Sequence, residues 1–159
     1  MSDKKISVVV SVYNEEQSLR NFYSAALPVL ENIAWDYELI FVNDGSTDNS
    51  RMILGSFANE NKKVKVLNFS RNFGHEAAMI AGIDHSTGDG IVCMDADLQH
   101  PPEIIPEIIQ KFDDGFEIIS MVRRSRKRES LLRKLPAVAF YKILNMLSPI
   151  KFENNSSDF

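Results

Sequence analysis

Two carboxylates, Asp95 and Asp97, follow a short apolar run at residues 91–94. Residues two apart on an extended backbone point to the same side, so both carboxylates can face one target, and Gln99 extends the same face. Oxygen ligands of this kind suit a hard divalent cation such as Mg²⁺ or Mn²⁺. A short acidic pattern also suits a plain surface turn, so the residues around it must decide between the two interpretations.

Predicted strands and helices alternate along the chain and would position these carboxylates. Five apolar, β-branched runs predict strands, and stretches with helical spacing of apolar residues separate the strands. We therefore expect an α/β fold with a parallel sheet, helices on its faces and right-handed crossovers. The predicted strands are residues 6–12, 37–43, 64–69, 91–94 and 116–122, and the predicted helices cover residues 19–33, 52–58, 77–82 and 102–112.

Several residues carry local expectations. Asn14 is predicted to cap the first helix, with acidic residues in the first turn after it. Pro28 should kink that helix or end it early. The inward side of the second helix is predicted to consist of Met52, Ile53, Phe57 and Ala58.

Polar turns follow the first, second and fourth predicted strands, at residues 13–15, 43–48 and 95–99. In open parallel sheets, ligands bind outside the carboxyl ends of the strands. All three turns carry carboxylates and should meet on one rim. This arrangement favours a binding site over three unrelated surface turns.

Composition narrows the class of protein. The 159 residues fit one domain, and the single cysteine, Cys93, excludes a disulfide framework and a Cys-based zinc site. The three histidines lack metal-ligand spacing on any one element. No apolar run approaches the length of a membrane span and no signal peptide precedes the first strand, so we expect this chain to be soluble and intracellular.

Charge is distributed unevenly. Residues 1–122 hold 9 basic and 19 acidic residues, whereas residues 123–134 hold 7 basic residues and one acidic residue, Glu129. A basic cluster on an acidic body indicates a local anion site and argues against a general nucleic-acid surface.

Five ordered motifs resemble the inverting family 2 glycosyltransferases with the GT-A fold, and among them the polyprenyl-phosphate glycosyltransferases. The likeness extends over essentially the whole chain. The motifs are Ser-Val-Tyr-Asn-Glu-Glu (11–16), Val-Asn-Asp-Gly-Ser-Thr-Asp (42–48), Ser-Arg-Asn-Phe-Gly-His-Glu (70–76), Met-Asp-Ala-Asp-Leu-Gln-His-Pro-Pro-Glu (94–103) and Arg-Lys-Arg-Glu-Ser (126–130).

The resemblance implies a role for each matching residue. Tyr13, Glu15 and Asp44 would hold the nucleoside of a sugar nucleotide, UDP-sugar in preference to GDP-mannose. Asp95, Asp97 and Gln99 would coordinate Mg²⁺ or Mn²⁺ on its diphosphate, and Arg124 and Arg128 would meet the phosphate of a polyprenyl-phosphate acceptor. Asp97 and Asp158 would lie at the reacting centre.

Two departures from the family pattern stand out. Ser11 replaces the usual Pro, and Ser157 replaces the usual Gly before Asp158. Relatives also continue well past this Asp-Phe motif, so the GT-A domain would lack its C-terminal part. We therefore expect the isolated chain to bind a nucleotide weakly and to transfer sugar poorly. It should also either self-associate or leave its C-terminal segment loosely packed. The longer protein is expected to work at the cytoplasmic side of a membrane.

Two other functions remain open from the sequence. One is a family 2 transferase whose acceptor is a saccharide hydroxyl, and the other is a doubly wound module that senses a nucleotide without turnover. For the polyprenyl-phosphate transferase, residues 1–122 would form the nucleotide-sugar-binding part. Residues 123–159, a basic acceptor-side segment followed by an apolar helix at 131–147, would belong to the same domain.

Overall fold

A computed structural model of the protein describes residues 4–121. Met1–Glu117 forms one compact unit. Because residues 122–159 lie outside the described part, the predicted continuity of residues 1–122 with 123–159 in one domain stays a prediction. The elements are β1 Lys5–Val12, α1 Leu19–Glu31, β2 Asp36–Asn43, α2 Ser50–Glu60, β3 Val64–Asn68, α3 His75–Asp84, β4 Gly90–Asp95, a 3-10 turn Pro102–Ile104 and α4 Ile105–Asp113.

The four strands form one parallel sheet in the order β3-β2-β1-β4. The central strands β1 and β2 are buried along most of their length. Helices cover both faces, which is why these two strands are nearly continuous apolar runs. The predicted class, a parallel α/β sheet flanked by helices, is confirmed.

The two faces of the sheet carry different numbers of helices. On one face, Phe22 of α1 and Phe57 of α2 both pack against Phe41 of β2. On the other face, Ala78 and Met79 of α3 pack against the strands, with Cys93 partly buried beside them. Burial raises the pKa of the Cys93 thiol, so this side chain stays protonated and contributes to the core.

The start of α1 differs from the prediction. The residue that precedes the helix is Ser18, no acidic residue lies in the first turn, and Asn14 caps nothing. Instead, Asn14 has a left-handed backbone, with φ 55°, and its side-chain oxygen accepts a hydrogen bond from the Thr47 backbone N–H at 2.8 Å. The Asn14 side chain is thus bound to the turn after β2, and α1 begins later than predicted.

The end of α1 agrees with the prediction for Pro28. This residue lies inside the helix, which ends at Glu31, within one turn of it and short of Ile33. The Asn32 side-chain amide donates to the Pro28 carbonyl at 2.7 Å and so satisfies one of the free carbonyls at the helix end.

The inward face of α2 was predicted wrongly at one position. Ile53 and Phe57 are buried, but Met52 is 68% exposed and Leu54 is buried in its place. Met52 lies five residues before Phe57, about 140° around the helix from it. Ala58 is half-buried.

The predicted fifth strand at residues 116–122 does not form within residues 116–121. Ile118, in the middle of this run, is 88% exposed. The run is apolar and β-branched, but strand propensity mostly reflects packing against neighbouring strands, which a sequence window does not reveal.

A buried carboxylate, Glu38, stabilises the amino end of the sheet. Its Oε1 accepts hydrogen bonds from the Ser7 hydroxyl at 2.6 Å and the Thr87 backbone N–H at 2.7 Å. Its Oε2 lies 2.6 Å from Lys65 Nζ and 3.3 Å from Lys5 Nζ. Burial alone would raise the pKa of Glu38, but these partners outweigh it and lower the pKa to about 2.

Candidate functional site

The carboxyl ends of three strands meet on one rim of the sheet. Val12 at the end of β1 is the register partner of Asn43 at the end of β2, and Ser11 is the partner of Asp95 at the end of β4. The turns that follow these strands therefore begin within one residue of the same level. This brings together the three polar turns that the sequence predicted for one rim.

Hydrogen bonds join the turn after β1 to the turn after β2. The backbone N–H of Glu16 donates to the Asp48 carboxylate at 3.0 Å, and the Glu16 carboxylate accepts from the backbone N–H of Asn49 at 3.0 Å. Burial opposes the ionisation of Asp48, but hydrogen bonds from Ser50 and Glu16 outweigh it and hold the pKa of Asp48 below its ordinary value. The two turns therefore form one rigid wall of the site.

Tyr13 and Glu15 lie in this wall with different exposures. The Tyr13 side chain is 47% exposed, which leaves its ring available to a flat ligand such as a base. Glu15 is half-buried, and its carboxylate accepts a hydrogen bond from the Ser18 hydroxyl. The backbone N–H of Glu15 donates to the Ser50 hydroxyl at 2.9 Å.

Asp44 is almost completely buried, with 2% of its surface exposed. Its two carboxylate oxygens accept hydrogen bonds from the backbone N–H groups of Phe73 at 2.7 Å and Gly74 at 2.9 Å. Each oxygen keeps a further lone pair for a ligand. Asp44 therefore fixes the loop that leads into α3, a role that the sequence did not reveal.

Asp95 lies where β4 ends, and two polar side chains from other elements meet it. The Ser11 hydroxyl lies 3.5 Å from Asp95 Oδ1 and 2.7 Å from His75 Nδ1. The distance from His75 Nδ1 to Asp95 Oδ1 is 3.7 Å. One oxygen of the Asp95 carboxylate thus faces a hydroxyl and an imidazole from β1 and α3.

Asp97 and Gln99 lie in a turn and not on extended backbone, so the alternation that was expected to put them on one face with Asp95 does not apply. Leu98 between them has φ 60°, and Asp97 Oδ1 accepts a hydrogen bond from the Gln99 backbone N–H at 2.9 Å. Both side chains are exposed at the rim. Within residues 4–121, no three acidic, histidine or cysteine side chains cluster as a metal site.

Three predicted site residues lie outside the described residues. They are Arg124 and Arg128, expected at the acceptor phosphate, and Asp158, expected at the reacting centre.

His75 and Ser11 were missed as site residues. Ligands bind outside the carboxyl ends of parallel strands, and this rule applies to the turn after β3 as well as to the other turns. The turn after β3 leads through Gly74 to His75. Because β3 and β4 lie at opposite edges of the sheet, the connection between them has to cross its face, and α3 therefore begins beside β1.

A cleft of about 720 Å³ lies elsewhere in the described part of the chain, at the amino end of β2. Tyr23, Trp35, Tyr37 and Lys63 are among its lining residues. It is separate from the rim, because the amino and carboxyl ends of a parallel strand lie at opposite edges of the sheet.

No helix within residues 4–121 combines the length and the apolar content that a membrane span requires.

Comparison with known proteins supports the resemblance found in the sequence. The family model described as glycosyl transferase family 2 matches residues 7–157. The uncharacterized glycosyltransferase YkcC of Bacillus subtilis is 43% identical over 153 residues, which are 96% of this chain and 47% of YkcC. A prophage bactoprenol glucosyl transferase homolog of Escherichia coli is 41% identical over 155 residues, 98% of this chain and 51% of the relative. The chain thus spans about half the length of these relatives.

Solved structures show the same fold at low sequence identity. The mannosyltransferase PcManGT of Pyrobaculum calidifontis, in complex with GDP-Man and Mn²⁺, has a TM-score of 0.64 at 17% identity, over 91% of this chain and 39% of that one. Glucosyl-3-phosphoglycerate synthase of Mycobacterium tuberculosis, in complex with UDP, has a TM-score of 0.61 at 21% identity, over 96% of this chain and 55% of that one. The predicted GT-A type of fold is thereby confirmed.

Proposed function

We propose that this chain, which belongs to glycosyl transferase family 2, forms the donor-binding part of an enzyme that moves a hexose from a nucleotide sugar to a polyprenyl phosphate with inversion. UDP-sugar is the favoured donor. The relative named a bactoprenol glucosyl transferase homolog, at 41% identity, supports a lipid-phosphate acceptor. A structural neighbour in complex with UDP supports the donor.

One observation carries this proposal. The register of β1 with β2 and β4 brings the turns beginning at Tyr13, Asp44 and Ala96 to within one residue of the same level at the carboxyl rim. A diphosphate with a nucleoside at one end and a sugar at the other needs an aromatic or polar wall beside acidic oxygen ligands. This rim offers both within one compact unit.

The nucleoside would lie against the wall formed by the first two turns. Tyr13 offers an exposed ring for the base. Glu15 and Asp44 offer carboxylate oxygens that are already oriented by hydrogen bonds from Ser18, Phe73 and Gly74. Ordered acceptors bind a base without a further loss of side-chain freedom.

The residues at the end of β4 fit a divalent cation, Mg²⁺ or Mn²⁺. Asp95, Asp97 and Gln99 offer two carboxylates and an amide oxygen, the hard donors that such ions prefer, and the two carboxylates balance the positive charge. When bound, the cation would act as a Lewis acid on the leaving diphosphate. Asp95 and Asp97 would hold the cation and so fix the position at which that diphosphate binds.

The acceptor side of the proposal depends on Arg124, Arg128 and Asp158. A phosphate monoester has a second pKa of about 6, so at neutral pH it is already an oxyanion. It needs cationic positioning more than it needs a general base, which suits the basic residues at 123–134. In the longer protein, this segment would meet the lipid at the cytoplasmic side of a membrane.

Calorimetric titration tests the donor side directly. We expect the chain to bind UDP-glucose with Mn²⁺ present, to bind it at least ten times more weakly without the ion, and to prefer it to GDP-mannose. Tighter binding of GDP-mannose than of UDP-glucose would mean that GDP-mannose is the donor. Absence of binding to any nucleotide sugar, with the chain folded, would contradict the proposal.

A further inference from the structure

We infer that Ser11 and His75 are positioning residues that hold the Asp95 carboxylate by one oxygen and so prepare it to bind the donor's divalent cation. The three residues come from three elements. Ser11 lies in β1 and is the register partner of Asp95 in β4, whereas His75 is the first residue of α3. This inference rests on the proposed function, because it concerns the same site.

The donor and acceptor capacities of the three groups indicate which direction of the hydrogen bonds satisfies both contacts. The Ser11 hydroxyl lies 2.7 Å from His75 Nδ1 and 3.5 Å from Asp95 Oδ1, and it has one hydrogen to donate. An ionised carboxylate can only accept. Both contacts are satisfied when His75 Nδ1–H donates to Ser11 Oγ and the Ser11 hydroxyl donates to Asp95 Oδ1. The opposite direction would leave Asp95 Oδ1 facing only the lone pairs of its neighbours.

A nucleophilic Ser-His-Asp site is excluded by the same geometry. In such a site, the serine and the carboxylate contact different nitrogens of the imidazole, so that the ring accepts a proton on one side while it is oriented on the other. Here Ser11 Oγ and Asp95 Oδ1 lie 2.7 and 3.7 Å from the same nitrogen, Nδ1. His75 can therefore orient Asp95 through Ser11, but it cannot relay a proton between them.

The exposure of the site explains why such positioning would matter. The side chains of His75 and Asp95 are 49% and 41% exposed, so packing alone does not fix their rotamers. A cation that binds a mobile carboxylate has to order it at a cost in free energy. Hydrogen bonds to a ligating carboxylate remove part of that cost, and loss of such partners typically weakens metal binding about 10- to 100-fold.

The test compares Ser11→Ala, His75→Ala and the double variant for Mn²⁺ affinity at saturating UDP, measured by electron paramagnetic resonance of the free ion. We expect each single variant to bind Mn²⁺ about 10-fold more weakly, and the double variant to be no worse than the single ones, because the two residues act through one link. Ser11→Thr keeps the hydroxyl and should keep the affinity. Ser24→Ala and His85→Ala, on exposed residues elsewhere, serve as matched controls.

A second measurement reports the link without any metal. A long-range ¹H–¹⁵N correlation spectrum of the metal-free chain should show His75 with its hydrogen on Nδ1, and Ser11→Ala should lose that preference. Mn²⁺ affinity unchanged in Ser11→Ala, in a chain whose wild type binds Mn²⁺ and UDP, would overturn the inference alone. A folded wild type that binds no Mn²⁺ with UDP would overturn the proposed function and this role together.

Discussion

The backbone of Arg71 passes so close to Gly45 that a methyl group at position 45 would lie 2.3 Å from the Arg71 carbonyl carbon. Gly45 also has φ +66°, a conformation that side chains disfavour. The turn after β2 and the loop before α3 therefore touch backbone to backbone. This contact sets the spacing between the wall formed by the turns after β1 and β2 and the loop that carries His75.

Gly45→Ala is therefore expected to lower the free energy of unfolding by at least about 2 kcal/mol, through left-handed strain and displaced backbone. Gly55→Ala is the matched control, because Gly55 lies within α2 with no atom within 4 Å of the added carbon. The control should be neutral or stabilising by up to about 1 kcal/mol. Urea unfolding measures the free energy of unfolding of both variants. Equal values would show that the loop at Arg71 moves aside at little cost.

The low pKa of Glu38 predicts an acid-dependent loss of stability. Because the folded-state pKa, about 2, lies below the ordinary 4.5, the stabilisation is fully present above pH 4.5 and is lost as the pH falls through 2. The lowered pKa of Glu38 stabilises the folded state by about 3 kcal/mol at most. Urea unfolding between pH 2 and 7 should show a steeper acid loss in the wild type than in Glu38→Gln. Glu60→Gln, on an exposed residue, should behave as the wild type, and parallel curves for all three would contradict the role of Glu38.

Asp97→Asn should weaken Mn²⁺-dependent binding of UDP-glucose at least tenfold, because one carboxylate charge is removed beside a diphosphate. Asp84→Asn removes the same charge at the exposed end of α3 and should leave binding unchanged. Calorimetry with and without Mn²⁺ measures the effect. If Asp97→Asn keeps the Mn²⁺-dependent affinity for UDP-glucose, Asp97 is not a ligand of the proposed cation.

Asp44→Ala should weaken binding of free uridine as well as of UDP, since its proposed contact is with the base. It should also destabilise the fold by about 1–3 kcal/mol, because the N–H groups of Phe73 and Gly74 lose their acceptors. Affinities for uridine and for inorganic diphosphate, measured at a temperature where the variant is folded, separate the two effects. Equal loss for both ligands would argue for a purely structural role.

Arg124→Ala and Arg128→Ala should leave UDP affinity unchanged and reduce transfer to polyprenyl phosphate in a salt-sensitive way, because both are proposed to meet only the acceptor phosphate. The measurement is transfer in lipid vesicles at two ionic strengths, made on the longer protein. If either variant loses UDP affinity as severely as Asp97→Asn, the basic segment belongs to the donor side.

Sequence patterns predicted the sheet well because periodicity records burial. Strands β1 and β2 each begin one residue before the predicted strand, at Lys5 and at Asp36, and end where predicted. The apolar pattern failed where the local structure depends on contacts with other parts of the chain. The run at residues 116–121 has strand composition but forms no strand, and Pro102 opens a 3-10 turn ahead of α4 instead of the helix itself.

The rim could be predicted from topology, but its hydrogen bonds could not. Asn14 fits a helix cap by residue type, yet it binds Thr47, which is distant along the chain. A turn follows β4 as predicted, but the expected alternation of Asp95, Asp97 and Gln99 does not apply, because the backbone leaves the extended conformation at Ala96 and is left-handed at Leu98. No residue pattern nearby signals this change. Contacts such as that of Ser11 with His75 depend on where α3 crosses the sheet.

The close approach of α3 to the sheet makes the rim sensitive to a distant core position. A carbon added at Gly82 would lie 2.2 Å from Val9 Cγ1, so a larger residue there would have to displace the Val9 side chain or the helix. Gly82 and His75 are about 10 Å apart along the helix axis. A displacement of the helix at Gly82 would therefore change the separation between His75 and Ser11 at its other end.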